Sequence, residues 1–242
     1  VNVAFIVGIA FAPALFWFWF FARRDRNPEP AQLLLRTFAW GAVMVLPAAI
    51  LEVSLEGVIG TLAFFMVGPI EELAKFVAAR NIARNKAFDE PVDGLIYATA
   101  AALGFATLEN VLYMIQFGAD VILVRGPLST LGHILFAMPW GYAMAYKRFR
   151  GGRWVLRRGL ALGAVLHGLF NLFLMAGGTE GLEWLLLPFV PLMIVMWRLS
   201  NRYYAHARAN LEPHDKPGVA ALETKPAIAK QAVTDQALEE QA

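Results

Sequence analysis

An all-α fold is what this sequence predicts: a polytopic bundle of seven transmembrane helices, with the N-terminus outside and the C-terminus in the cytoplasm. Three observations carry that expectation. Of the 242 residues, 58% are hydrophobic and only 17% charged, where soluble domains average about a quarter charged, and the mean hydropathy is +0.52. Seven apolar runs are each long enough to span a bilayer. The loops between them alternate sharply in basic charge.

The runs are Val1–Phe21, Leu33–Leu51, Val58–Ala79, Asp93–Phe117, Leu128–Tyr146, Gly159–Ala176 and Leu182–Leu199. The first has no basic residue before it and Arg23, Arg24 and Arg26 after it, so it reads as an anchor rather than a cleavable signal. Its end, Phe16–Phe21, is aromatic throughout and reads as an interfacial belt, not a binding cage. The second run carries Arg36 near its cytoplasmic end, where the side chain can snorkel, and Pro47 near its outer end. Basic residues crowd the loops 80–91 and 147–158, the latter holding six, whereas the loops Glu52–Gly57 and Gly177–Glu183 have none and Gly118–Pro127 has only Arg125. This asymmetry sets the orientation, and it reads pI 9.0 as a membrane signature rather than a nucleic-acid one. Residues 1–210 form the membrane domain. The tail 211–242 mixes Ala, Lys, Glu, Gln and Pro without periodicity and is expected to be disordered or loosely helical, with His206 and His214 solvated. No tandem repeat is evident, which counts against an inverted-repeat transporter.

The absence of cysteine removes disulfides, thiolate zinc sites and a cysteine nucleophile together. What is left at depth is a short set of polar groups. Glu71, Glu72 and Lys75 lie in the third run, Glu109 and Asn110 in the fourth, His133 in the fifth, and His167 and Asn171 in the sixth. The three charges of the third run together cost about 8–10 kcal/mol to insert, too much to be carried for packing. At about 1.5 Å rise per residue, Glu71 lies roughly 3 Å to the cytoplasmic side of its span's midpoint and His167 near its own, with Glu109 and His133 roughly 6–7 Å toward the outside. Helix tilt absorbs that spread, so four spans can serve one cluster.

Spacing assigns faces. Glu71 and Lys75, four apart, are neighbours on one helix face, and Glu72 lies about 100° around from Glu71. His167 and Asn171 share a stripe in the same way. Pro69, having no N–H, leaves the Phe65 carbonyl without its helical donor and can kink the third span, while Gly104, Gly132, Gly163 and Gly168 allow close helix approach.

These groups suit peptide hydrolysis, which needs water, a base and donors for the developing oxyanion. Glu71 is the natural base. His133 or His167 can hold the water or protonate the leaving amine, and Asn171 can donate to the oxyanion. The same groups allow a metal alternative, with Glu109, His133 and His167 holding Zn²⁺ and Glu71 remaining the base. A proton-coupled carrier would use the same carboxylate–histidine set as a relay, and a non-enzymatic scaffold would bind a partner's membrane helix.

Glu-Glu-x-x-Lys at 71–75, Phe-x-x-x-Glu-Asn at 105–110, His133 in the next span and His-x-x-x-Asn at 167–171 resemble the PrsW family of intramembrane proteases, as does Asp93-Gly94-Leu95. The match runs from about Gly68 to Asn171, in order. The resemblance implies a multi-pass protease of the bacterial plasma membrane, of a family commonly labelled metalloproteases. Its substrate would be a single-pass membrane protein of the anti-sigma-factor kind, cut first on the outer side. It marks Glu71, Glu72, Glu109, His133 and His167 as the catalytic set. The family is grouped with the CAAX prenyl endopeptidases, from whose pattern this chain departs twice. Lys75 stands one residue closer than that group's arginine, and Glu109 stands where it has a histidine.

Overall fold

The computed structural model describes residues 3–25, 27–59, 62–177 and 189–211. Among them are eight α-helices and no strand: α1 (Val3–Ala22), α2 (Ala31–Val43), α3 (Val45–Ile59), α4 (Leu62–Ala79), α5 (Asp93–Phe117), α6 (Ile122–Arg150), α7 (Arg153–Gly177) and α8 (Phe189–His206). The all-helical expectation therefore holds. Residues 182–188 of the last expected span, and the tail from 212 with His214, lie outside the described residues.

Two boundaries differ from the sequence reading. The second span is two helices, broken at Met44, because Pro47 has no N–H to give the Val43 carbonyl and its ring crowds that position. The expected loop Glu52–Gly57 is helical and belongs to α3. By length and composition three helical segments suffice to cross a membrane: Ala4–Ala22, Ala31–Leu55 and Asp93–Phe117.

Helix α5 is the axis of the bundle. Every residue from Asp93 to Thr107 is buried, and α2 and α6 pack on it, with α7 against both α4 and α6. Its run of alanines with Gly94 and Gly104 permits this. A methyl on Gly104 would lie 1.9 Å from the Phe38 carbonyl oxygen of α2. Gly163 likewise meets the Phe136 carbonyl of α6, whereas Gly132 faces only phenyl rings. The outside is the reverse of a soluble protein's. Phe5, Leu15, Phe16, Leu35, Leu46, Ile50, Val53 and Leu123 are all more than half exposed, an apolar surface that a bilayer would cover. The aromatic end of α1 does more than line an interface. The Arg24 guanidinium lies 4.7 Å from the Phe20 ring, 5.1 Å from Phe21, 5.5 Å from Trp197 and 5.2 Å from Tyr204, tying α1 to α8.

Candidate active site

Helices α4 and α7 cross where glycine meets glycine. A methyl on Gly68 would lie 2.2 Å from the Gly168 nitrogen, and one on Gly168 would lie 2.5 Å from the Phe65 carbonyl oxygen. Pro69 leaves that carbonyl without its helical donor, and the Gly168 Cα–H fills the space in front of it. This crossing places Glu71 and Glu72 of α4 beside His167 of α7. Helix α4 continues through Pro69, which lies inside it.

All the charged groups at this crossing are buried. Glu72 and Lys75 have no exposure, and Glu71, His133 and His167 are at most 4% exposed. Buried charges persist only when paired, and here the pairing is dense. The Lys75 ammonium donates to Glu72 Oε1 at 2.8 Å and to Glu71 Oε2 at 3.1 Å, and it reaches His133 Nδ1 at 2.8 Å. Its Nζ also lies 4.6 Å from the centre of the Phe105 ring.

The two imidazoles are each held from behind by a carboxylate. His133 Nε2 meets Glu109 Oε2 at 2.8 Å, leaving Nδ1 toward Lys75 and Glu71. His167 Nδ1 meets Glu72 Oε1 at 2.9 Å, leaving Nε2 toward Glu71. Phe136 stacks on His167 with ring centres 4.7 Å apart, fixing its plane. As an acceptor, each carboxylate selects the tautomer in which the ring nitrogen facing it carries the proton and the inner nitrogen offers a lone pair.

The donor set fits a metal ion. Glu71, His133 and His167 bring one ligand atom each to within 4.8 Å of one another. His133 Nδ1 and His167 Nε2 lie 3.5 and 3.8 Å from Glu71 Oε2, close to the roughly 3.4 Å edge that a tetrahedral ion with bonds of about 2.1 Å requires. A carboxylate behind each histidine is the usual support for such a ligand. The sequence reading placed Glu109 in this set; in the structure Glu109 stands behind His133, and Glu71 completes the converging group.

Of the other expected residues, Asn110 donates to Thr130 Oγ1 at 3.0 Å, joining α5 to α6 as interhelical glue. Asn171 is half-buried one turn beyond His167, and no hydrogen bond joins it to the cluster among the described residues. Two residues were missed. Trp140 of α6 donates its indole N–H to Glu72 Oε2 at 2.8 Å. Glu52, assigned to a loop, lies on α3 within electrostatic range of Glu109, Glu71 and Lys75, with Oε1 buried and without a hydrogen bond. A carboxylate between Leu51 and Val53 was the available signal; nothing in the sequence marked the tryptophan.

A buried carboxylate–imidazole centre within apolar helices is the equipment of an enzyme that carries out hydrolysis inside a membrane. Residues 29–196 match the PrsW family intramembrane metalloprotease, and the chain belongs to that family. Proteins named Protease PrsW are similar to it over most of their length. The one from Oceanobacillus iheyensis is 30% identical over 215 residues, covering 85% of this chain and 96% of the relative. Those from Geobacillus kaustophilus and Bacillus subtilis are each 30% identical, over 209 and 215 residues, covering 83% and 84% of this chain and 91% and 96% of the relative. No solved structure matches the chain. Family membership makes the chain a peptidase and places it with membrane proteases, deciding against the carrier and scaffold readings.

Proposed function

We propose that the chain hydrolyses a peptide bond of a single-pass membrane protein with water activated at Glu71. One observation carries the assignment: the two adjacent carboxylates are bonded differently. Glu72 is saturated, its Oε1 held by Lys75 and His167 and its Oε2 by Trp140. Glu71 is engaged through Oε2 alone, and its Oε1 makes no hydrogen bond among the described residues. A saturated carboxylate positions its neighbours, while one with an open oxygen can take a proton from water.

In this reading His133 and His167 turn their inner nitrogens toward that water. One orients it, and the other relays to the leaving amine the proton that Glu71 takes from the water. Glu109 and Glu72 keep the rings in the required tautomers, and the Asn171 amide donates to the developing oxyanion. Glu71, His133 and His167 would hold a divalent ion such as Zn²⁺, which when bound supplies Lewis-acid charge and an acidified water. Lys75 would then have to withdraw from His133 Nδ1, its present neighbour at 2.8 Å.

The helices form seven spans in this proposal, with the N-terminus outside, the C-terminus in the cytoplasm, and the whole in a bacterial plasma membrane. The basic residues of loops 80–91 and 147–158 support that orientation. The centre then faces the outer half of the bilayer. The substrate class is an anti-sigma-factor-like protein cut first at this site.

The test uses purified full-length protein in liposomes with a panel of single-pass anti-sigma-type substrates. Cleavage lost on chelation and restored by Zn²⁺ supports the ion at Glu71, His133 and His167. Cleavage by rigorously metal-free protein supports water activated by Glu71 alone. If no member of the panel is cut, the substrate assignment fails.

A further inference from the structure

Four basic side chains of loops 80–91 and 147–158 line one hollow. Arg80, Arg84, Lys147 and Arg148 surround a cavity of about 560 Å³ at the common end of α4, α6 and α7. Arg80 follows the last residue of α4, Arg84 closes the 3₁₀ turn Ile82–Arg84, and Lys147 and Arg148 lie in the last turn of α6. The floor is apolar and packed, since Phe76, Met144 and Leu156 belong with Phe88 and Tyr97 to one hydrophobic cluster. A concavity of this size falls within the range of small-molecule sites, about 300–1,000 Å³.

No aspartate or glutamate lines the cavity among the described residues; Asp89 and Glu90 of the same loop are not part of its wall. The four basic side chains are exposed and make no ion pair or hydrogen bond among the described residues. Like charges gathered around one hollow repel each other unless an anion lies among them. The bias of basic residues toward one side of a membrane accounts for their number in these loops, but not for their meeting around a cavity. Arg153 and Arg157, from the same basic stretch, behave differently. They lie 5.6 and 4.9 Å from the centre of the Trp154 ring and do not line the cavity.

We infer that Arg80, Arg84, Lys147 and Arg148 bind the phosphate group of an anionic ligand, either a lipid headgroup or a soluble phosphate. A guanidinium offers two parallel N–H donors to phosphate oxygens, and the lysine adds a compact charge. Basic pockets between membrane helices suit acidic headgroups, whereas a zwitterionic headgroup would bring a fifth cation to the site. Glu71 lies nine residues before Arg80, about 14 Å along the helix axis, so this site is separate from the catalytic centre. Helices α4, α6 and α7 carry Glu71, His133 and His167, so the ligand ties together the ends of the three helices that build the centre.

The experiment titrates full-length protein in neutral detergent with phosphatidylglycerol, with phosphatidylcholine of the same chains, and with inorganic phosphate. Binding is read by native mass spectrometry and by the shift in Tm. One saturable equivalent of phosphatidylglycerol that raises Tm, without matching binding of phosphatidylcholine, is expected if the source is lipid. Saturable binding of inorganic phosphate that displaces the lipid would make the source a soluble phosphate. In either case affinity should fall at least tenfold in the double variant Arg84→Gln, Lys147→Gln. Both side chains are exposed, so an unliganded Tm matching wild type keeps that arm interpretable. The control Arg153→Gln, Arg157→Gln removes the same charge outside the cavity and should change affinity less than twofold. Absence of saturable binding by phosphatidylglycerol and by phosphate overturns the inference. So does an equal loss of affinity in the two double variants, which would mean diffuse attraction to a basic surface, or no loss in the cavity variant.

Discussion

Replacing Gly168 with alanine tests how closely catalysis depends on the α4–α7 crossing. The added methyl would lie 2.5 Å from the Phe65 carbonyl oxygen and 2.9 Å from Phe65 Cδ2. A carbon needs about 3.3 Å from a carbonyl oxygen, so the helices must part locally by about 0.8 Å. Overpacking of this kind costs about 1–3 kcal/mol of stability. The larger effect falls on geometry. His167 is the adjoining residue, and its 2.9 Å bond to Glu72 spans the same helix pair. Misplacement of a reacting group by about 1 Å can cost 10²-fold in rate, or about 2.7 kcal/mol of barrier. Cleavage of a single-pass substrate in liposomes should therefore fall roughly 10²-fold while the variant stays folded. Gly8→Ala on α1 is the control, because nothing lies within 4 Å of its new methyl. Wild-type cleavage and Tm in Gly168→Ala would refute the argument from helix spacing.

Three further substitutions separate the roles within the cluster. Trp140→Phe keeps the ring but removes the donor to Glu72 Oε2; leaving that buried oxygen unpaired costs about 1–3 kcal/mol, seen as a lower Tm and slower cleavage. An unchanged Tm would mean that water replaces the indole. Lys75→Gln strands Glu71 and Glu72 without their cation and should destabilise the fold by about 3–5 kcal/mol in equilibrium unfolding. Asn171→Ala should leave Tm unchanged, since no hydrogen bond ties Asn171 to the cluster among the described residues, yet slow cleavage roughly 10²-fold by removing an oxyanion donor. An equal loss in kcat and Tm would instead make Asn171 structural.

Much of the fold was legible because bilayer-length apolar runs and glycine breaks are local signals. Helix α5 has the predicted bounds, Asp93–Phe117, and ends at Gly118, whose φ of 98° suits glycine. The break at Met44 was readable in principle from Pro47, but its position depends on where the chain can bend. The loop expected at Glu52–Gly57, between two apolar runs, is a continuation of helix α3. The members of the site were also legible, since depth follows from residue count along a helix. Their pairing was not. Counting along an axis cannot say which way a ring faces, and it is the rotation of α5 and α6 that puts Glu109 behind His133 and Glu71 in front of it. Trp140 was indistinguishable from any apolar residue until its indole N–H had a partner.

The claim on which the rest depends is that Glu71, through its open oxygen, activates the water that cuts the substrate. The most direct measurement is the single-turnover cleavage rate of Glu71→Gln in liposomes, in protein whose Tm and helix content match wild type. Cleavage should be abolished, because the amide keeps the shape but cannot take the proton. Cleavage at the wild-type rate would contradict the account and move the base elsewhere in the cluster.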